Sequence, residues 1–225
     1  MTNLAVTLDD RYTFDDGRIY VTGTQALVRL MLVQRRRDEA QGLNTAGFVS
    51  GYRGSPMTTI DQELWRAKDH LESHHINFWP AVNEHMAATA VWGTQQVHYH
   101  NDARYDGVFG MWYGKGPGLD QSLDAVRQAN YHGTAKNGGV LVLAGDDPAM
   151  RSTVDAYHSE LLFEDLLMPV LYPADIQEVL DMGLYGIAMS RFSGAWLGYK
   201  LLPETIETAA SIRAGYDDLK IEIPE

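Results

Sequence analysis

The chain of 225 residues contains no cysteine. Disulfide bonds, thiolate zinc sites and cysteine-ligated iron–sulfur clusters are therefore excluded within this sequence. No apolar run approaches the roughly 20 residues that a membrane-spanning helix needs. The first residues are acidic and do not follow the basic and then apolar pattern of a signal peptide. We therefore expect a cytoplasmic protein without a membrane partner.

Positive charge is also scarce. The sequence has 18 lysines and arginines against 30 aspartates and glutamates, which gives a formal net charge of −12. Binding to nucleic acid requires a basic face that neutralises phosphates, so this class of partner is disfavoured. Hydrophobic residues make up 45% of the chain, which indicates a packed core rather than disorder.

Short apolar runs rich in β-forming residues alternate with helical patterns along the whole chain. The predicted strands occupy 45–52, 76–83, 105–114, 138–147, 168–173 and 195–202, and the predicted helices occupy 23–42, 59–75, 84–100, 119–133, 156–167 and 175–194. This alternation predicts an α/β fold with a doubly wound, mostly parallel sheet and helices on both of its faces.

The same patterns divide the chain into three parts. We predict an N-terminal arm at 1–22, an α/β domain at 23–212 and, at 213–225, the start of a linker to further domains. This last segment is charged and has no packing pattern, and 203–212, which follow the last predicted strand at 195–202, are expected to lead into it. We therefore expect the natural protein to continue beyond this sequence.

Four of the predicted strands end in loops rich in glycine or charge. These loops are GYRGSP (51–56), VNEH (82–85), YGKGPG (113–118) and AGDDPAMRST (144–153). The carboxyl ends of parallel strands lie at one edge of a sheet, so the loops can face a single crevice. Each loop alone can be explained as a short turn between a strand and a helix. The four together favour a ligand site.

The GKGPG segment does not match a known phosphate-binding loop. A Walker loop requires a serine or threonine after the lysine, whereas Gly116 and Pro117 follow Lys115 here. We predict instead a flat, extended glycine turn that can support an aromatic ring.

Glu84 stands between an apolar strand and an alanine-rich helix, and two interpretations of it remain open. Its carboxylate can simply stabilise the first turn of the helix through the helix dipole. Alternatively, Trp79, Met86 and Ala87 shield it from water, so that it exchanges a proton near neutral pH.

Asp146 and Asp147 also allow two interpretations. They can bind a metal ion, or they can close the loop that follows their strand. We favour the second interpretation and expect no metal-ligand set in this chain.

Together, the segments GFVSGYRGSP, PAVNEHMAATAVWG, YDGVFGMWYGKGPG and GGVLVLAGDDP resemble the amino-terminal, pyrimidine-binding domain of the indolepyruvate ferredoxin oxidoreductase family. This family belongs to the 2-oxoacid:ferredoxin oxidoreductases, and the likeness runs from about Gly23 to Thr208. It implies the pyrimidine-binding type of α/β fold and thiamine diphosphate as cofactor. It also implies oxidative decarboxylation of an aryl or branched 2-oxo acid to its acyl-coenzyme A, with electrons passed to ferredoxin.

The resemblance also implies roles for individual residues. Glu84 would be the catalytic residue that faces N1′ of the aminopyrimidine, where a carboxyl group stabilises the imino tautomer. The implied cofactor-binding residues are Gly114, Lys115, Gly116, Pro117 and Gly118, and the implied substrate-binding residues are Arg53, Ser55 and Pro56. Met57, Thr58, Thr59 and His85 depart from the expected family pattern, and their effect on substrate choice is left open.

The sequence lacks a G-D-G motif followed by a distant asparagine pair. The resemblance therefore implies that Mg²⁺ and [4Fe-4S] clusters belong to further domains or partner chains. The expected partners are a diphosphate-binding domain of the same or another chain, ferredoxin, the 2-oxo acid, coenzyme A and a second copy of the chain. The alternative is a non-catalytic scaffold or regulatory domain that retains the fold. Its mark would be a buried Glu84 tied to protein groups.

Overall fold

A computed structural model of the protein describes residues 6–151 and 153–224, so that 1–5 of the predicted arm and Glu225 of the predicted linker lie outside the described residues. Within this part the strands are β1 (Arg18–Thr22), β2 (Ala46–Gly51), β3 (Ile76–Phe78), β4 (Val108–Lys115), β5 (Val140–Gly145), β6 (Val170–Leu171), β7 (Leu197–Leu201) and β8 (Ala209–Arg213). The helices are α1 (Asp10–Thr13), α2 (Gly23–Ala40), α3 (Ile60–Arg66), α4 (Lys68–Ser73), α5 (Glu84–Thr94), α6 (Gly116–Gln121), α7 (Leu123–His132), α8 (Glu160–Asp165), α9 (Ile176–Ser193) and α10 (Pro203–Ile206).

Six of the strands form one parallel sheet in the order β3-β2-β4-β5-β7-β6. The chain runs outward from β2 to β3 and then returns to place β4 on the other side of β2. The direction of winding therefore reverses between β2 and β4. In open α/β sheets, ligands bind in the crevice at the carboxyl ends of strands at such a point.

Helices cover both faces of this sheet, which confirms the predicted fold class. On one face α2 packs against α9, over strand residues such as Met111, Tyr113 and Leu143. On the other face α5 packs against α7, over Trp112 and Val142. Successive strand residues point to opposite faces, so each buried strand supplies both cores.

The two ends of the chain meet in a second sheet, in which β1 and β8 pair antiparallel. Ile19, Val21 and Ile212 from these strands, and Ala214 just after them, are buried in the larger core. The predicted strand at 195–202 is thus not the last one, because α10 and β8 follow it, and Arg213, the first residue of the predicted linker, belongs to β8. The pairing joins segments far apart in sequence, which no local pattern reveals.

Several predicted elements have different bounds in the structure. The strand expected at 76–83 ends at Phe78, before Pro80, which cannot donate a hydrogen bond to a sheet. The helix expected at 59–75 is interrupted at Ala67, between α3 and α4. Of the helices described, none is both long enough and apolar enough to cross a bilayer.

The extended turn predicted for GKGPG is also wrong. Lys115 is the last residue of β4, and Gly116 already begins α6. Pro117 lies in the first turn of this helix, where its fixed φ angle is favourable and its missing N–H has no helical partner to lose. The segment is therefore a strand end followed directly by a helix start.

Candidate functional site

The GYRGSP turn packs across the carboxyl ends of three neighbouring strands. It follows β2, and a Cβ atom on Gly54 would lie 2.7 Å from Cδ of Lys115 at the end of β4. A Cβ atom on Gly145, the last residue of β5, would lie 2.9 Å from Cδ of Pro56. Neither position has room for a Cβ atom unless these neighbouring side chains shift.

The residues of this turn face in different directions. Arg53 is exposed and Ser55 is half-buried, so both can meet a ligand at the sheet edge. Pro56 is buried. Met57 is fully buried in the core, and a Cβ atom added to Gly145 would lie 2.7 Å from Cγ of Met57. The bulk of Met57 therefore fills the interior and does not narrow the outer side of the turn.

Glu84 is the first residue of α5, next to the end of β4. The helix is capped by Asn83, whose Oδ1 accepts a hydrogen bond of 2.8 Å from the backbone N–H of Met86. The side-chain cap is thus provided by Asn83. This leaves the Glu84 carboxylate available for another role.

The half-buried Glu84 side chain lies against two of the glycines in the GKGPG segment. A Cβ atom on Gly118 would be only 2.4 Å from Oε1 of Glu84, and one on Gly114 would be 3.2 Å from its Cγ. Because Gly114 and Gly118 have no side chains, they leave a hollow in which the Glu84 side chain lies; we call this hollow the cradle. The structure therefore brings Glu84, Gly114 and Gly118 into one site at the carboxyl edge of the sheet.

Other parts of the expected environment of Glu84 differ. Trp79 and Met86, the residues expected to shield it, are themselves 44% and 46% exposed. Ala87 is buried, as expected. Within the described part of the chain, the Glu84 carboxylate has neither a hydrogen bond nor an ion pair. No described side chain or backbone group therefore satisfies its oxygens.

The remaining residues of GKGPG serve the packing around this cradle. Gly116 is covered by Tyr157, since a Cβ atom there would lie 2.0 Å from Cδ1 of the tyrosine. Burial, together with the charge of Asp120 in α6 and a hydrogen bond to it, raises the pKa of Tyr157 to about 12. Sequence reasoning missed the role of Tyr157, because it placed this residue in a helix at 156–167, whereas α8 begins only at Glu160 and Tyr157 lies in the loop before it.

Asp146 closes the long loop that follows β5. Its Oδ2 accepts hydrogen bonds from the backbone N–H and the hydroxyl of Ser159, at 2.8 and 2.9 Å. Burial raises the pKa of this carboxyl, while Ser159 and Lys200, whose Nζ is 3.6 Å from Oδ2, act in the opposite direction. The loop-closing interpretation is confirmed for Asp146. No cluster of three or more histidine, cysteine or acidic side chains placed to hold a metal occurs in the described residues.

The chain is similar to two curated archaeal proteins, both named indolepyruvate oxidoreductase subunit IorA. It is 32% identical to the protein of Pyrococcus horikoshii over 178 residues and 27% identical to that of Pyrococcus abyssi over 182 residues. Each match covers 79% of this chain but 24% of the relative, so the chain spans about a quarter of the length of these proteins. No protein-family model matches the chain.

A solved structure shows the same fold. It is a 2-oxoglutarate:ferredoxin oxidoreductase from Magnetococcus marinus, with 2-oxoglutarate, coenzyme A and succinyl-CoA bound. The TM-score is 0.66 at 16% identity, over 92% of this chain and 33% of the other. At this identity the likeness concerns the fold, and the Pyrococcus relatives add the sequence relationship. Together, these likenesses in sequence and in fold support a domain of the 2-oxoacid:ferredoxin oxidoreductase family.

Proposed function

We propose that this chain supplies the pyrimidine-binding half of a thiamine diphosphate site in an enzyme that oxidatively decarboxylates a 2-oxo acid. The observation that carries the proposal is the unpartnered Glu84 carboxylate in the cradle of Gly114 and Gly118. Its place beside the switch point of a parallel sheet is where such folds bind ligands. The names of the relatives favour an aryl substrate of the indolepyruvate type, with a branched 2-oxo acid as the other possibility.

The residues present fit the aminopyrimidine end of this cofactor. The aminopyrimidine needs a carboxyl group at N1′, and Glu84 offers one at the carboxyl edge of the sheet with no partner among the described residues. When bound, thiamine diphosphate supplies the carbon nucleophile for the 2-oxo carbon and stores the electrons that decarboxylation releases. Glu84 holds and returns a proton at N1′ of the pyrimidine, which is general acid–base work.

The GYRGSP turn forms the substrate side of the proposed site. The exposed guanidinium of Arg53 can pair with the carboxylate of a 2-oxo acid, and the Ser55 hydroxyl can bond to its oxygens. Pro56 is buried and contributes by shaping the turn. Lys115 packs against Gly54 of this turn, so the substrate side and the cofactor side are in contact.

The other half of the active site belongs to further domains or partner chains. The absence of cysteine means that thiolate ligands for [4Fe-4S] clusters come from elsewhere. We propose that a diphosphate-binding domain contributes Mg²⁺ and the diphosphate contacts, and that ferredoxin and coenzyme A meet the complete assembly. A homo-oligomer in the cytoplasm is part of this proposal.

A non-catalytic scaffold or regulatory domain is the second candidate. Its mark would be a Glu84 carboxylate bonded to protein groups, and the described residues provide no such bond. The first candidate is therefore favoured.

Titration calorimetry with thiamine diphosphate tests the proposal. We expect no measurable binding to this chain alone and tight binding when the diphosphate-binding domain is present, because each half supplies only part of the contacts. The same titration with Glu84→Gln in the pair should show weaker binding. An absence of binding to the complete pair would contradict the proposal.

Replacing Gly118 with alanine should displace the Glu84 carboxylate. The new Cβ atom would lie 2.4 Å from Oε1, and a side-chain end moves at little cost to the fold. We expect decarboxylation to fall about a hundredfold, as misplacement of a catalytic group by about 1 Å can do. Turnover in the assembly and the urea midpoint of the variant measure the two effects.

Gly93→Ala is the matched control. Gly93 lies in α5, the same helix as Glu84, and no atom lies within 4 Å of the added Cβ. We expect unchanged turnover and a gain of about 0.5–1 kcal/mol in unfolding free energy, because alanine is the better helix former. Equal turnover in the two alanine variants would show that the carboxylate need not occupy the cradle.

A further inference from the structure

We propose that Trp112 is a positioning residue that holds Glu84 in the cradle. The inference rests on the proposed function, because it deepens the account of that same site. Trp112 touches neither the reacting atoms nor the solvent. It acts through a hydrogen bond to the backbone of Glu84 and through its contact with Gly114 of the cradle.

A hydrogen bond joins Trp112 to the first residue of α5. The indole Nε1–H of Trp112 donates to the backbone carbonyl of Glu84 at 3.0 Å. A carbonyl oxygen in the first turn of a helix already accepts a bond from the amide four residues later, and its second lone pair can accept another. The indole therefore fixes the start of α5 relative to β4.

The ring of Trp112 also forms part of the cradle. Trp112 and Gly114 are two residues apart on β4, so they point to the same face of the sheet. A Cβ atom on Gly114 would lie 2.7 Å from Cη2 of Trp112 and 3.2 Å from Cγ of Glu84. The edge of the indole and the Glu84 side chain thus both lie against Gly114. Trp112 therefore contacts the cradle through its ring and the backbone of Glu84 through its N–H group.

Burial makes this bond a firm constraint. Trp112 is fully buried in the core beneath α5 and α7. A ring that is packed on all sides is held in a single rotamer, and water does not compete for the hydrogen bond of its N–H group. Catalytic side chains need such support, because small errors in their placement lower the rate strongly.

The chain offers a matched control in Trp196. It is also fully buried and belongs to the same hydrophobic cluster. Its indole Nε1 has no hydrogen-bond partner in the part of the chain that the structure describes. Trp112→Phe and Trp196→Phe therefore remove similar apolar volume from one core, but only the first removes a bond to Glu84.

The first measurement is hydrogen–deuterium exchange on this chain without any cofactor. We expect Trp112→Phe to speed exchange several-fold at the amides of Ala87 and Ala88, which close the first turn of α5. Trp196→Phe should leave these two amides at the rate of the unchanged chain. Equal rates in the two variants would overturn the proposal.

The second measurement is turnover in the assembly with its diphosphate-binding partner. We expect Trp112→Phe to lower kcat about tenfold relative to Trp196→Phe, with the KM of the 2-oxo acid unchanged, because Arg53 and Ser55 are not disturbed. A rise in KM with an unchanged kcat would contradict a role in positioning Glu84. If Trp112→Phe does not fold, a benzothienylalanine at position 112 keeps the shape of the ring and removes only the N–H donor.

Glu84→Gln in the same assay distinguishes a failure of the proposed function from a failure of the proposed role of Trp112. If Glu84→Gln retains full turnover, the proposed function fails. If Glu84→Gln is inactive while the two tryptophan variants behave alike, the function stands and the role of Trp112 is refuted.

Discussion

Replacing Glu84 with glutamine is expected to lower 2-oxo acid decarboxylation in the complete assembly by at least about a hundredfold, within the usual range for loss of a general acid–base group. Glutamine has nearly the same shape and can still form a hydrogen bond, but it cannot hold and return a proton. Glu84 is half-buried and has no partner within the described residues, so the substitution breaks no bond of the fold. Steady-state turnover and circular dichroism of the variant measure the two expectations.

Glu164→Gln is the control for this substitution. Glu164 is an exposed residue of α8, so its exchange removes the same charge from the surface without reaching the cradle. We expect its turnover to match that of the unchanged protein. Unchanged turnover in Glu84→Gln would remove the acid–base role of this carboxylate and would favour the scaffold interpretation.

The largest loss of stability is expected from replacing Arg29 with methionine. The guanidinium of Arg29 is fully buried and donates to the backbone carbonyls of Arg11 at 2.9 Å, Phe14 at 2.6 Å and Ala214. Burial lowers the pKa of Arg29 to about 10. This one side chain therefore ties both ends of the chain to α2.

Methionine fills much of the same space but leaves the three carbonyls without a donor. Each hydrogen bond to a charged group contributes about 1.5–3 kcal/mol, so we expect the free energy of unfolding to fall by at least about 3 kcal/mol. Urea denaturation followed by tryptophan fluorescence measures this difference.

Arg213→Met is the matched control for Arg29→Met. Arg213 lies on β8, also at the end of the chain, and its exposed side chain pairs with Asp181 at 3.1 Å. Exposed ion pairs contribute about 0–1 kcal/mol, so a small change is expected. Equal losses in the two variants would show that the carbonyl contacts of Arg29 do not hold the ends of the chain.

Much of the fold could be predicted from local patterns. The apolar run that becomes β5 and the helical spacing that becomes α2 and α9 are each visible within a short window. Their alternation was enough to predict a parallel sheet with covered faces. The parallel arrangement then placed the loops after β2, β4 and β5 at one edge, where the structure has them.

The candidate site could be predicted only in part. Glu84 and the GKGPG segment were grouped through the family resemblance, and the structure brings Glu84 to Gly114 and Gly118. The helical start at Gly116 was missed, because glycine and proline next to each other indicate a turn when a tertiary contact is not known. The contact of Tyr157 with Gly116 was also missed, because the helix predicted at 156–167 begins only at Glu160 and leaves Tyr157 in a loop.

The sequence by itself determined the succession of the strands of the parallel sheet along the chain and the chemical type of each candidate residue, because these depend on neighbours within a few positions. Only the tertiary structure decided which groups meet: Trp112 with the backbone of Glu84, Arg29 with both ends of the chain, and β1 with β8. Such contacts join residues that are distant in sequence. Their formation depends on packing and burial in three dimensions, which no local pattern of residues encodes.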